Sequence, residues 1–224
     1  MQLFMSNLLS LDKTKMTVDS ILDGSIALPS EPFCPADVLA AVKTMAKGSG
    51  KPGIAFEVES GATEMTLVGA PLQINLMLLN LVSNAAKFTT SGKLVLSSSV
   101  VQETATSVEI KFAVTDTGPG IPENKQQGIL DLRSQTGSSE SQSKGFGIGL
   151  NVTSNLAKIM GGALDVRSPV RDGKGSEFGF TLKLEKVKEA VAGVAAKEIG
   201  EQPVDTTFTV QSYSCSSFRS VVQL

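Results

Sequence analysis

The pattern of hydrophobic and polar positions predicts three helices. Residues 35–47 carry apolar side chains at helical spacing, with Pro35 in the first turn and Gly48 just beyond the end. Residues 71–88 are apolar almost all round, and residues 150–160 show a helical pattern after a run of glycines. These three segments are expected to cover a hydrophobic core.

Strands are predicted where apolar and polar residues alternate. In residues 107–115 and 177–184, every second side chain is apolar, and those between are mostly charged, polar or small. Such alternation predicts a sheet with one dry and one wet face, covered by helices on the dry face only. We therefore expect an α+β two-layer sandwich rather than a doubly wound parallel sheet. The predicted strands are 54–60, 93–100, 107–115, 163–168 and 177–184.

A polar stripe runs along the otherwise apolar helix predicted over 71–88. Gln73, Asn80, Asn84 and Lys87 fall within roughly 60° of one another on a helix with 3.6 residues per turn. One interpretation is the wet face of an ordinary amphipathic helix. A solvated face usually carries several Lys and Glu, however, so a stripe that lines a cavity is favoured.

Composition limits the possible functions. The 224 residues are 41% hydrophobic with a net charge of −2, which allows one core and gives no general field for holding nucleic acid. The sequence has no histidine, which excludes Ser-His and Cys-His pairs, histidine metal sites and a phosphoacceptor histidine within it. No apolar run reaches the about 18 residues of a membrane span, and Cys34 and Cys215 are expected to be reduced thiols. A cytoplasmic location is therefore expected, with a nuclear location or a soluble piece of something larger as the alternatives.

Three segments stand apart from the predicted core. Residues 1–31 indicate the end of a helix followed by a connector, because Pro29 and Pro32 break the pattern. Residues 186–224 lose periodicity and are interpreted as a tail or linker. Residues 122–144 are rich in Gln, Ser and Gly, and so long a polar stretch inside a compact domain is either disordered or functional.

The segment DTGPGI at 116–121 offers a carboxylate at the end of a strand. Asp116 could accept a hydrogen bond from an exocyclic amine such as N6 of adenine. Guanine presents a carbonyl at that place, and an unpaired or repelled acceptor is costly, so the group would select adenine. An ordinary strand-ending turn is the alternative interpretation.

The segment GFGIGL at 145–150 could hold phosphate. Its glycines let the backbone approach phosphate oxygens, and the helix that begins there offers free N–H groups. Asn84 could give an amide oxygen to Mg²⁺, and Lys87, one turn on, could meet a phosphate. A hinge at the glycines and a core amide at Asn84 are the competing interpretations.

Together these segments resemble the catalytic domain of histidine kinases, which belongs to the GHKL ATPases with the Bergerat fold. The order and spacing match over about residues 32–184, and residues 8–17 (LLSLDKTKMT) resemble the end of the dimerisation helix that precedes such domains. The segments that resemble the N, G1, G2 and G3 boxes are NLVSNAAKFT (80–89), DTGPGI (116–121), GFGIGL (145–150) and GKGSEFGFTL (173–182).

The resemblance implies a mixed sheet and a site for ATP with Mg²⁺. Asn84 matches the magnesium-binding Asn and Asp116 the adenine-binding Asp, and residues 122–144 match the ATP lid. In hydrolytic members a Glu that activates water occupies the position of Asn80, and an amide cannot act as a general base. Phosphoryl transfer or plain nucleotide binding is thus favoured over hydrolysis. The implied nucleotide-site residues are Asn80, Asn84, Lys87, Asp116, Gly118, Gly120, Gly145, Gly147, Gly149, Leu150 and Ser176.

The sequence departs from the family in two places. It has no H box, so the implied partner is a histidine-bearing dimerisation or phosphotransfer domain on another chain and, indirectly, a response regulator. The lid lacks the usual F-box Phe, with Ile129, Leu130 and Leu132 roughly where it would stand. A catalytically silent nucleotide-binding scaffold is therefore the alternative function. A Ser/Thr kinase of the same superfamily ranks lowest, because those proteins tend to carry an acidic residue at the position of Asn80.

Overall fold

The structure, a computed structural model, describes residues 28–46, 53–61, 65–130, 148–171 and 173–187. These residues form seven strands and four helices in the order β1 (Glu31–Phe33), α1 (Pro35–Ala46), β2 (Ile54–Ser60), β3 (Leu67–Gly69), α2 (Pro71–Phe88), β4 (Gly92–Glu103), β5 (Ser107–Asp116), α3 (Glu123–Leu130), α4 (Ile148–Ile159), β6 (Ala163–Arg167) and β7 (Glu177–Lys186).

The strands form one mixed sheet in the order β1-β3-β7-β5-β4-β2, with β6 also paired to β7. The β2–β4 pair is parallel, and the other pairs are antiparallel. Helices α1, α2 and α4 contact the sheet. The predicted α+β fold with a mixed sheet is thus confirmed.

The three helices predicted from periodicity all form. Helix α2 spans the predicted residues, α1 ends at Ala46, and α4 begins at Ile148, two residues earlier than expected. Pro71 occupies the first turn of α2, where its missing N–H would have had no intrahelical acceptor. The short strands β1 and β3 and the helix α3 were not predicted.

The core lies between the helices and the dry face of the sheet. Phe112 of β5 and Phe180 of β7 are fully buried, with ring centroids 5.5 Å apart, and helix residues such as Leu39 and Leu78 pack in the same cluster. Aromatic burial of this kind is among the largest favourable contributions to folding. The predicted dry face of β5 is confirmed, because its alternate apolar side chains are buried.

An ion-pair cluster on the opposite face joins three strands. Lys111 Nζ of β5 lies 2.9 Å from Asp165 Oδ2 of β6 and 2.9 Å from Glu177 Oε1 of β7. Burial lowers the pKa of Lys111, but the hydrogen bonds and charges of the two carboxylates outweigh it and raise the pKa above 10.5. The wet face predicted for these strands is thus also present.

One prediction about the thiols is wrong. Cys34 is buried and disulfide-bonded rather than a reduced thiol, and Cys215 lies outside the described residues. The helix expected near the start of the chain and the tail beyond residue 187 also lie outside the described residues. In the described part of the chain, the helices are too short or too polar to cross a membrane.

Candidate functional site

Asp116, the last residue of β5, is a buried carboxyl at the centre of the candidate site. Its side chain is 6% exposed, and Oδ1 accepts a hydrogen bond from the backbone N–H of Gly118 at 2.7 Å. Burial raises the pKa of Asp116, and backbone hydrogen bonds from Gly118 and Ser176 lower it in part. A buried acid whose ionisation is perturbed in this way is typical of functional sites.

The turn after Asp116 is bound to the turn that precedes β7. The Gly175 N–H donates to the Gly118 carbonyl at 2.8 Å, and the Asp116 N–H donates to the Ser176 carbonyl at 2.8 Å. Gly175 has a φ of +77°, and a Cβ there would lie 2.5 Å from the Asp116 carbonyl oxygen, so only glycine fits. A Cβ on Gly120 would lie 3.4 Å from the Gly175 carbonyl oxygen, so Gly120 adjoins the same turn. Four of the predicted site residues therefore lie together: Asp116, Gly118, Gly120 and Ser176.

Asn80 of α2 is buried against α4. Its Nδ2 donates to Thr153 Oγ1 at 2.8 Å, and both residues are almost fully buried. A Cβ on Gly149, one turn before Thr153, would overlap Asn80 Oδ1, so the absence of a side chain lets the helices approach. Asn80 and Gly149, both predicted site residues, thus lie in contact. The contact belongs to the packing of α2 against α4.

Sequence reasoning missed Thr153. Gly149 and Thr153 are four positions apart in the sequence, which places a residue without a side chain and a hydroxyl on one face of α4. That spacing is the signal in the sequence that could have indicated a polar contact with α2.

The polar stripe on α2 becomes more exposed toward the end of the helix. Gln73 and Asn80 are buried, Asn84 is half-buried and Lys87 is exposed. The second half of the stripe is therefore open to a ligand, while the first half is covered by protein. That Asn84 and Lys87 line a nucleotide cavity stays a prediction.

The segment predicted to bind phosphate, residues 145–150, is described only in part. Gly149 lies in the first turn of α4, and Leu150 is buried in the hydrophobic core. Gly145 and Gly147 lie outside the described residues, as do residues 131–144 of the predicted lid. The lid segment begins with helix α3, which the sequence did not predict.

Comparison with known proteins places the chain in a family. Residues 69–186 match the family of histidine kinase-, DNA gyrase B- and HSP90-like ATPases, and the chain belongs to that family. Within it, the chain is an ATP-binding domain of the histidine-kinase type.

Curated relatives of the chain include sensor proteins and histidine kinases. The sensor protein GacS of Pseudomonas syringae is 33% identical over 189 residues, which is 82% of this chain and 20% of GacS. The histidine-protein kinase BarA of Escherichia coli K12 is 31% identical over 187 residues, 80% of this chain and 20% of BarA. The chain thus spans about a fifth of the length of these relatives.

Solved structures share the fold. Full-length ShkA in complex with AMPPNP has a TM-score of 0.61 at 24% identity, covering 78% of this chain and 37% of ShkA. The mycobacterial sensor histidine kinase MprB has a TM-score of 0.53 at 23% identity, covering 70% of this chain and 99% of MprB. At this identity the likeness concerns the fold alone.

Proposed function

We propose that this chain binds MgATP and presents its γ-phosphate to a histidine on another polypeptide, as the kinase domain of a two-component system. The observation that carries the proposal is Asp116, a buried acceptor held by backbone N–H groups at the end of β5. The proposal puts the reaction in the cytoplasm, where ATP is supplied, with a response regulator as the eventual recipient.

Asp116 is suited to recognise adenine. An ionised carboxylate has about four lone-pair positions, and the backbone N–H groups of Gly118 and Ser176 use part of them. The remaining capacity can accept a hydrogen bond from the N6 amine of adenine. A guanine carbonyl would leave a buried acceptor facing another acceptor, which disfavours GTP.

The phosphates are proposed to lie between α2 and the start of α4. The first turn of α4 provides N–H groups without intrahelical acceptors, and Gly149 lies in that turn against Asn80 of α2. Lys87 is exposed and is proposed to contact one phosphate, and Gly145 and Gly147 are proposed to line the same loop. These groups would orient the γ-phosphate and stabilise charge on it.

Asn84 is proposed to hold Mg²⁺. The half-buried amide can supply one oxygen, which fits an ion that keeps few protein ligands and takes phosphate oxygens and water as the others. When bound, Mg²⁺ would neutralise charge that develops on the transferred phosphoryl group.

Asn80 favours transfer over hydrolysis. Its amide cannot take a proton from water, and its Nδ2 is already committed to Thr153 inside the protein. A water-activating base is therefore not available from this position, and the proposed acceptor is a nucleophilic histidine rather than water.

The test is phosphoryl transfer to a supplied acceptor. The chain is incubated with Mg²⁺, γ-labelled ATP and a histidine-kinase dimerisation domain, and the label on the domain is measured. We expect label that disappears when the acceptor histidine is replaced by Gln. A chain that binds MgATP but labels none of a panel of such domains would contradict the transfer and favour a silent scaffold.

A further inference from the structure

The hydroxyl of Ser168, just after β6, lies where two turns of the candidate site meet. The Ile121 N–H donates to Ser168 Oγ at 2.7 Å, and Ser168 Oγ donates to the Gly175 carbonyl at 2.9 Å. Ser176 Oγ lies 3.2 Å from the same hydroxyl. The side chain therefore contacts the turn that follows Asp116 and the turn that precedes β7.

These contacts use the full capacity of one hydroxyl. A serine donates one hydrogen bond and accepts two. Because the Ser168 proton is given to Gly175, the Ser176 hydroxyl must be the donor to Ser168 Oγ, beside the Ile121 N–H. These hydrogen bonds form a bridge between the two turns through Ser168. The bridge needs both the donor and the acceptor function of the hydroxyl, which a small apolar residue lacks.

The bridge completes a closed set of hydrogen bonds around Asp116. Gly175 also donates to the Gly118 carbonyl, and Asp116 donates to the Ser176 carbonyl, so the two turns are already joined at one end. Ser168 joins them at the other end through Ile121. Asp116 is thus held by contacts on both sides of its turn.

The side chain of Gln126 in α3 also binds the backbone where the two turns meet. Its Nε2 donates to the Ile121 carbonyl at 2.8 Å and to the Ser168 carbonyl at 2.6 Å. The two donors of one amide group therefore hold the backbone of the two residues that the Ser168 hydroxyl also joins.

We propose that Ser168 is a positioning residue for base selection, which fixes the direction of the Asp116 carboxylate toward the exocyclic amine of the nucleotide, with Gln126 as its brace. This inference rests on the proposed function, because it concerns how the proposed ATP site distinguishes adenine. A hydrogen bond weakens steeply with misalignment, so a turn that loses its bridge binds ATP less selectively even where the fold survives.

The test compares the dissociation constants of ATP and inosine triphosphate, which lacks the amine. In Ser168→Ala we expect the preference for ATP to fall about three- to tenfold, the scale of one hydrogen bond. Ser168→Thr, which keeps the hydroxyl, should retain most of the preference. The matched control is Ser60→Ala, which removes a part-buried hydroxyl paired with Ser98 on another strand, and it should leave the preference unchanged.

Amide exchange in the ligand-free protein gives a second readout. The Ile121 amide should exchange faster in Ser168→Ala than in wild type, and Ser60→Ala should not change it. If Ser168→Ala fails to fold, Gln126→Met replaces it, and a smaller loss of preference is expected there.

Two results would overturn the inference, and they distinguish a failure of the role of Ser168 from a failure of the proposed function. A wild-type preference for ATP that persists in folded Ser168→Ala would contradict the role of Ser168 alone. A wild-type protein that binds neither nucleotide, or both equally, would contradict the proposed function and this inference with it.

Discussion

Replacing Gly149 by Ala tests how α2 and α4 meet. A Cβ at this position would overlap Asn80 Oδ1 and lie 2.8 Å from Asn80 Cγ and 3.0 Å from Nδ2. The amide cannot withdraw freely, because it is 6% exposed and its Nδ2 is bonded to the buried Thr153. The substitution must therefore displace α4, which carries Thr153, and so also strain or break the Asn80–Thr153 hydrogen bond.

The magnitude follows from competing effects. Alanine in place of glycine favours a helix by at most about 1 kcal/mol. Overpacking costs about 1–3 kcal/mol, and separating a buried hydrogen-bonded pair costs a further 1–3 kcal/mol or so. The clash outweighs the helix propensity, so we expect Gly149→Ala to lower the free energy of unfolding by roughly 3 kcal/mol.

Urea unfolding of a double-mutant cycle checks this result. Asn80→Ala alone should destabilise the protein, because it leaves the Thr153 hydroxyl unpaired in the interior. The double variant Asn80→Ala/Gly149→Ala should lose less stability than the sum of the single losses, because the obstructing amide is gone. Strict additivity, or a Gly149→Ala variant more stable than wild type, would refute the described contact.

Three further predictions concern the core and the ligand. Phe112→Ala should cost about 3–5 kcal/mol in urea unfolding, since it removes the fully buried partner of Phe180, whereas Phe112→Leu should cost much less; equal small losses would contradict the packing. ATP affinity should fall as pH decreases through the pKa of Asp116. Because burial raises that pKa above the ordinary value of 3.8, the loss of affinity should begin at a higher pH than for an exposed Asp. Asp116→Asn should not show this loss, and a wild type that also lacks it would contradict the role of the carboxylate. Asn84→Ala should weaken ATP binding about tenfold with Mg²⁺ and little without it, and equal losses in the two titrations would exclude a magnesium ligand.

Most of the fold could be predicted because each long helix or strand buries one apolar face, and that face shows in the sequence as a regular spacing of apolar residues. Helix α2 is apolar at most positions from Pro71 onward, and β5 and β7 alternate over most of their ten residues. Strands β1 and β3 have three residues each, too few for a period to show. Their pairing is set by distant partners, since Leu67 of β3 lies opposite both Phe33 of β1 and Lys186 of β7.

The candidate site could be predicted in outline, from motifs whose residue types match the chemistry of a nucleotide. The sequence could not show that Asn80 is covered by α4, because a polar stripe has the same period whether it faces a cavity or a neighbouring helix. Ser168 and Gln126 lie outside the glycine motifs, and only the folded chain brings them to Ile121.

The most direct test of the central claim is calorimetric titration of ATP into wild type and Asp116→Asn. The variant keeps an oxygen for the Gly118 N–H, so it should fold, and urea unfolding confirms that it does. We predict saturable binding by wild type and binding about 10- to 100-fold weaker in Asp116→Asn, as for loss of a charge-assisted hydrogen bond. Equal affinity of the two folded proteins would contradict the assignment of Asp116 as the group that recognises the base.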